Sequence, residues 1–149
     1  MKGDDIASRL LDLALASLHL ASQMETSPSG KHIARQLIRC STSCGANYEE
    51  ARSAESPADF AHKAGIAAKE AGETAWWLKL TERARLVPSA ETARWAKEAR
   101  ELVAILTASA RTAKRRIGTT TPGAGPAAQC PLPVAIAVGV SGSSDDGDA

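Results

Sequence analysis

Apolar residues recur along the first 117 positions at the three- and four-residue spacing of helices, not at the alternation of strands. From about Asp4 to Met24 the apolar positions are Ile6, Leu10, Leu11, Leu13, Leu15, Leu18 and Leu20. They cover more than one stripe of a helical wheel, and the polar face left over is narrow: Ser8, Asp12, His19 and Gln23. A helix this apolar carries more greasy surface than one side of a bundle uses. Asp4 and Asp5 stand where a helix N-terminus favours negative charge.

Ser27-Pro28-Ser29-Gly30 breaks the chain, and a second helix is predicted from there to about Arg52. Its apolar stripe is Ile33, Leu37, Cys40, Cys44 and Tyr48. Beside it runs a polar line, Gln36, Arg39, Ser43, Asn47 and Glu50, at spacings of 3, 4, 4 and 3, so all five face one way. Ser56-Pro57-Ala58-Asp59 reads as a cap, a first-turn proline and an early acid, opening a third helix to about Arg83. One face of it holds Phe60, Ala64, Ala67, Ala71 and Leu78, and another holds Ile66, Glu73, Trp77 and Leu80. Two apolar faces imply two packing partners, and the Ala and Gly between 64 and 72 permit close helix approach. After Leu86-Val87-Pro88-Ser89, with Ser89 read as a cap, a fourth helix reaches about Arg116 on a stripe of Trp95, Ala99, Leu102, Leu106, Ala110 and Ala113. Helices of this length joined by short turns predict an all-α, antiparallel up-down-up-down four-helix bundle.

Composition changes the picture at one point. The pattern stops at Ile117-Gly118, and residues 118–149 are rich in Pro, Gly and Ser. The expected domains are therefore a bundle over 1–117 and a disordered tail over 118–149. The tail's apolar run, Val134 to Val140, is punctuated by proline and glycine and is read as inert. All 18 basic residues lie between Lys2 and Arg116, with 14 of the 17 acids, so the formal net charge of +1 divides into +4 for the body and −3 for the tail. No run is long and apolar enough to span a bilayer. Met1-Lys2-Gly3-Asp4-Asp5 leads into an amphipathic segment, so no secretory signal is expected. Reduced thiols at Cys40 and Cys44 then fit the cytoplasm.

Candidate chemistry is sparse. Cys40 and Cys44 are four apart on one helix, but His19, His32 and His62 show no ligand spacing with them or among themselves. Core packing is the preferred reading, with no metal, cofactor or catalytic residue expected, and Cys130 is read as a free thiol. No phosphate loop, HExxH or nucleophile elbow occurs. The polar line is read as a structural network at a helix–helix or subunit seam, with Arg39 paired across helices two and three to an acid; a buried Arg would need such a partner, and Glu73 or Glu50 could supply it. The alternative is a polar ligand or nucleic-acid site. Arg111, Lys114, Arg115 and Arg116 close helix four, either as a complement to its dipole or as a phosphate-binding patch. The acidic tail end is a candidate screen for that patch. Trp76 and Trp77 are adjacent and point about 100° apart, so one belongs in the bundle and the other at its rim or a subunit interface.

The stretch from Gln36 to Ala51 resembles the signature of the bacterial four-helix-bundle family known from ribosomal-RNA intervening sequences. Gln36, Arg39, Ser43, Ala46, Asn47 and Glu50 match it, and Phe60, Ile66, Ala67 and Glu73 match the family's third-helix pattern. Ile38 stands where the family has a basic residue, Gly45 where it has proline, and Ala51 where it has glycine. The resemblance covers about residues 4–116. It implies an antiparallel bundle that assembles into ring-like homo-oligomers, often pentamers. Related proteins act as accessory subunits that bind a reverse transcriptase and nucleic acid. The functional expectation is a non-enzymatic oligomer that binds RNA or DNA through repeated basic patches. The alternative is an oligomeric scaffold or adaptor for proteins.

Overall fold

The computed structural model describes residues 3–118, and the expectations for the tail and Cys130 lie outside them. Four helices follow one another: α1 (Gly3–Gln23), α2 (Pro28–Arg52), α3 (Pro57–Arg83) and α4 (Ser89–Gly118). No strand occurs among the described residues. Each helix packs on its sequence neighbour, α3 on α4 most extensively, and α1 meets α4 along a short stretch that closes the ring. The antiparallel course shows in the cross-helix pairs. Tyr48 near the end of α2 donates to the Gly3 carbonyl at the start of α1, and Cys44 of α2 donates to the Ala67 carbonyl of α3.

The helix boundaries have local causes. The sequence reading placed the break across Ser27–Gly30, but α2 already begins at Pro28. Ser27 is extended (φ −134°, ψ 157°), its hydroxyl accepts from the Gly30 N–H at 3.1 Å, and Pro28 takes the first turn, where no N–H is needed. Ser56 caps α3 in the same way, accepting from the Asp59 N–H at 3.1 Å. At the far end of α3 the Leu86 N–H reaches back to the Thr81 carbonyl and the Arg85 N–H to the Glu82 carbonyl, at 3.2 and 3.1 Å. That pairing requires a left-handed residue between them, and Arg85 takes it at φ 54° where glycine is usual. α2 runs unbroken through Gly45.

The core is aliphatic and small. Leu10, Leu13 and Leu20 of α1, Leu37 of α2, Leu78 of α3, and Leu102 and Leu106 of α4 are fully buried. Burying each such side chain is worth about 1.5–3 kcal/mol. Between the leucines, Ala64, Ala67, Ala71 and Ala99 are wholly inaccessible, and Gly65 and Ala68 of α3 lie beside Ala110 of α4 where those two helices meet. Trp77 and Leu80 pack on this core from α3, so the second apolar row of that helix is used inside the subunit. The surplus on α1 is not: Leu11, Leu15 and Leu18 are 61%, 55% and 43% exposed. Buried hydroxyls return to their own helix, Ser17 to the Leu13 carbonyl, Thr74 to Glu70 and Thr81 to Trp77. No buried side-chain polar atom among the described residues lacks a partner. No described helix is long and apolar enough to cross a membrane.

Cys40 and Cys44 lie in this core, both fully inaccessible. The Cys40 thiol lies 3.1 Å from the Thr74 hydroxyl and donates to the Leu37 carbonyl at 3.4 Å, and Cys44 donates to the Ala67 carbonyl at 3.1 Å. Burial pushes both thiols up, Cys44 to about 12. A thiol so raised is neutral at physiological pH and a poor nucleophile. The stabilisation this gives is complete below the ordinary thiol range and is lost as pH climbs from about 9 toward about 12.

Two measurements follow. A Cβ at Gly30 would stand 2.0 Å from the Met24 carbonyl oxygen, whereas one at Gly45 meets nothing within 4 Å. Gly30→Ala is expected to destabilise by about 1–3 kcal/mol, and Gly45→Ala to stabilise by about 1 kcal/mol through helix propensity. Denaturant unfolding reads both signs. In a Cys130→Ser chain at about pH 8, the folded protein should react with a thiol reagent on the order of 10³-fold more slowly at Cys44 than the unfolded chain does. Equal rates would remove Cys44 from the core.

Candidate functional site

The polar line of α2 divides into local groups on the α2–α3 surface. Arg39 is 51% exposed at its side chain. Its guanidinium donates to Gln36 at 3.3 Å on its own helix, and to Glu70 at 3.4 Å and Glu73 on α3. The Asn47 amide donates to the Ser43 carbonyl at 2.8 Å, and Lys63 of α3 pairs with Glu50. Glu50 is therefore the partner of Lys63, and Arg39 turns to Glu70 and Glu73. The row sits outside the core because the apolar stripe of α2 takes the inward positions. Hydrogen bonding to Glu73 raises the Arg39 pKa further, so the group stays charged at any accessible pH. Exposed pairs of this kind contribute little to stability and weaken in salt. The seam ties α2 to α3 through these pairs.

The other inter-helix ion pairs have the same character. Arg52 near the end of α2 holds Asp4 of α1 at 2.5 Å and Glu49 of its own helix at 3.0 Å. Arg9 of α1 holds Glu98 at 2.5 Å and Glu101 at 3.0 Å on α4, and hydrogen bonding to Glu98 raises its pKa. Acids on three of the four seams are thereby occupied.

The α3–α4 seam is built differently. Gly65, Ala68 and Ala110 floor a surface groove of about 350 Å³, with Val103 and Thr107 on its wall. Its charged lining is wholly basic: Lys69 from α3, and Arg111 and Lys114 from α4. All three are exposed, and none has an ion-pair partner among the described residues. The small floor follows from the Ala and Gly content of α3, which lets the two backbones approach and leaves a trough above the contact. The basic cluster at the end of α4 is thus split. Arg111 and Lys114 line the groove; Arg115 and Arg116 lie at other angles of the helix and have interactions of their own. Lys69 completes the groove from a position 42 residues earlier than Arg111. Reading one helix at a time misses it.

Trp77 is half-buried on the core, 6.0 Å from the His32 ring, and Trp76 is 57% exposed. Among the described residues no group of three His, Cys, Asp or Glu is placed to hold a metal ion.

Comparison with known proteins agrees with this architecture. Residues 5–108 match the family model described as 23S rRNA-intervening sequence protein. A solved structure of a protein of unknown function from the S23 ribosomal protein family of Bacteroides thetaiotaomicron VPI-5482 is 30% identical. The match covers 74% of this chain and 99% of that one, with a TM-score of 0.68. No curated protein matches. A family model that spans most of the bundle, together with the shared fold, places the chain: it belongs to the 23S rRNA-intervening sequence protein family.

Proposed function

We propose that the protein is a non-enzymatic, homo-oligomeric accessory protein of the cytoplasm that binds RNA or DNA through basic patches repeated around the assembly. The observation that carries the reading is the α3–α4 groove, with its uncompensated Lys69, Arg111 and Lys114. A trough lined by cations alone attracts a polyanion, and each phosphate neutralised releases counterions. The name of the family ties it to ribosomal RNA and supports the same direction.

The oligomer rests on α1. Leu11, Leu15 and Leu18 recur at 4 and 3 residues on the side facing away from the core, a continuous apolar stripe. Ile38 of α2 is half-buried within the same subunit. A second copy of the chain is the occupant proposed, in a ring for which a pentamer is favoured. A ring would repeat the groove once per subunit and convert weak single contacts into avidity. A protein partner such as a reverse transcriptase would then meet the assembly rather than the monomer. The stripe also supports the second reading, a protein-binding scaffold without nucleic acid, if a different protein covers it.

Light scattering is expected to give a multiple of the 15.5 kDa chain mass, and Leu15→Asp to reduce it without loss of helicity. A monomeric wild type would move the stripe to the scaffold reading. Binding to RNA should weaken steeply between about 50 and 200 mM salt. Replacing Lys69 or Arg111 by Gln should lower the log–log salt slope by roughly 0.7–0.9 each. Absence of binding at low salt would rule out the nucleic-acid function.

A further inference from the structure

The groove is one end of a longer feature. On α3, Lys69, Trp76 and Arg83 recur every seven residues, with Gly72 and Lys79 between them on the same line. On α4, Lys97, Arg100, Arg111 and Lys114 follow at 3, 11 and 3, which also holds one side of a helix. The antiparallel packing brings the two lines to one face. Lys69 meets Arg111 and Lys114 in the groove, and a Cβ on Gly72 would touch Val103 at 4.0 Å. That register sets Arg100 and Lys97 level with Trp76 and Lys79. At the far end, Lys79, Arg83 and Arg85 line a second concavity of about 610 Å³ with Glu82 and Val87. Arg85 of that lining is the left-handed residue that ends α3.

None of these cations has an ion-pair partner among the described residues. Of the acids on these helices, Glu70 and Glu73 turn to Arg39 and Glu98 and Glu101 to Arg9, while Glu82 stays within the second concavity among three cations. The basic lines extend about 25 Å, at about 1.5 Å per residue. Midway stands Trp76, 57% exposed, its ring set at 84° to Trp77 with centroids 4.5 Å apart. Trp77 is itself packed on the core, so the outer indole stands on a fixed support.

We propose that the α3–α4 face is a track for single-stranded nucleic acid, in which the two basic lines hold the phosphate backbone and Trp76 stacks one base. Cations alone would serve a duplex equally well. The exposed indole decides between them, because a base reaches an aromatic face only when it has left its own stack. This rests on the nucleic-acid reading above and adds the class of ligand to it. The low aromatic content of the chain, which by itself argues for purely electrostatic contact, is outweighed at this one position by placement.

The test is fluorescence anisotropy on the full chain with a labelled RNA single strand of about 20 nucleotides and the duplex of the same sequence. Trp76→Ala, Trp76→Tyr and Arg100→Glu are compared with wild type, each checked for helicity by circular dichroism. Wild type should prefer the single strand. Trp76→Ala should weaken single-strand binding by roughly 10-fold or more and change duplex binding by less than about twofold. Trp76→Tyr should retain most of the preference, and Arg100→Glu should weaken both ligands. Equal binding of strand and duplex, with Trp76→Ala neutral, overturns the track and leaves the nucleic-acid function standing. Failure to bind either RNA at low salt overturns both. Binding of polyglutamate as tightly as the single strand makes the face a protein-docking surface and also overturns the track.

Discussion

The close approach of α3 and α4 is the constraint on which the rest depends. Gly65 and Ala68 of α3 lie beside Ala110 of α4, Gly72 lies against Val103, and Ala64 and Ala99 are inaccessible. Two helices that meet through side chains this small bury little area per residue, and compensate by meeting along most of their length. The leucines of α1, α2 and α4 then fill the space that remains. α1 is left as the helix least engaged with its second neighbour, tied to α4 by Arg9 and its two carboxylates.

The same constraint sorts the charges. At the other seams long side chains bridge the helices, and Arg39, Arg52, Arg9 and Lys63 are drawn to carboxylates. Where backbones are close, the charged residues at the edge project outward, and Lys69, Arg111 and Lys114 stand beside one another over a trough of alanine and glycine. A body of +4 thereby acquires a basic face of higher local charge than its total suggests. The apolar stripe of α1 belongs to the helix diagonally across from α3, so the proposed assembly through it would leave the basic face outward.

Much of this was legible in the residues. Ser56-Pro57 opened α3 as written, the stripe Ile33, Leu37, Cys40, Cys44 and Tyr48 is buried as a unit, and the excess of leucine on α1 is excess in the structure. Three things were hidden, each for a physical reason. The start of α2 came earlier because a capping serine followed by proline begins a helix rather than breaking one. The depth of the polar row was open because it runs beside the apolar stripe, and a wheel position at that boundary does not fix burial. The basic face was invisible because it is shared between two helices: Lys69 is unremarkable on α3, and becomes part of a site only when the α3–α4 register sets it against Arg111 and Lys114. The cluster that drew notice, four cations at the end of α4, contributes only two of them to the groove.

The proposed function places the ligand on the face where α3 and α4 meet. Ultraviolet crosslinking of bound single-stranded RNA to the full chain, followed by mass spectrometry of the peptides, tests it most directly. The account predicts crosslinks within residues 65–85 and 97–114, with Trp76 among them. Crosslinks confined to α1 and α2 would contradict it.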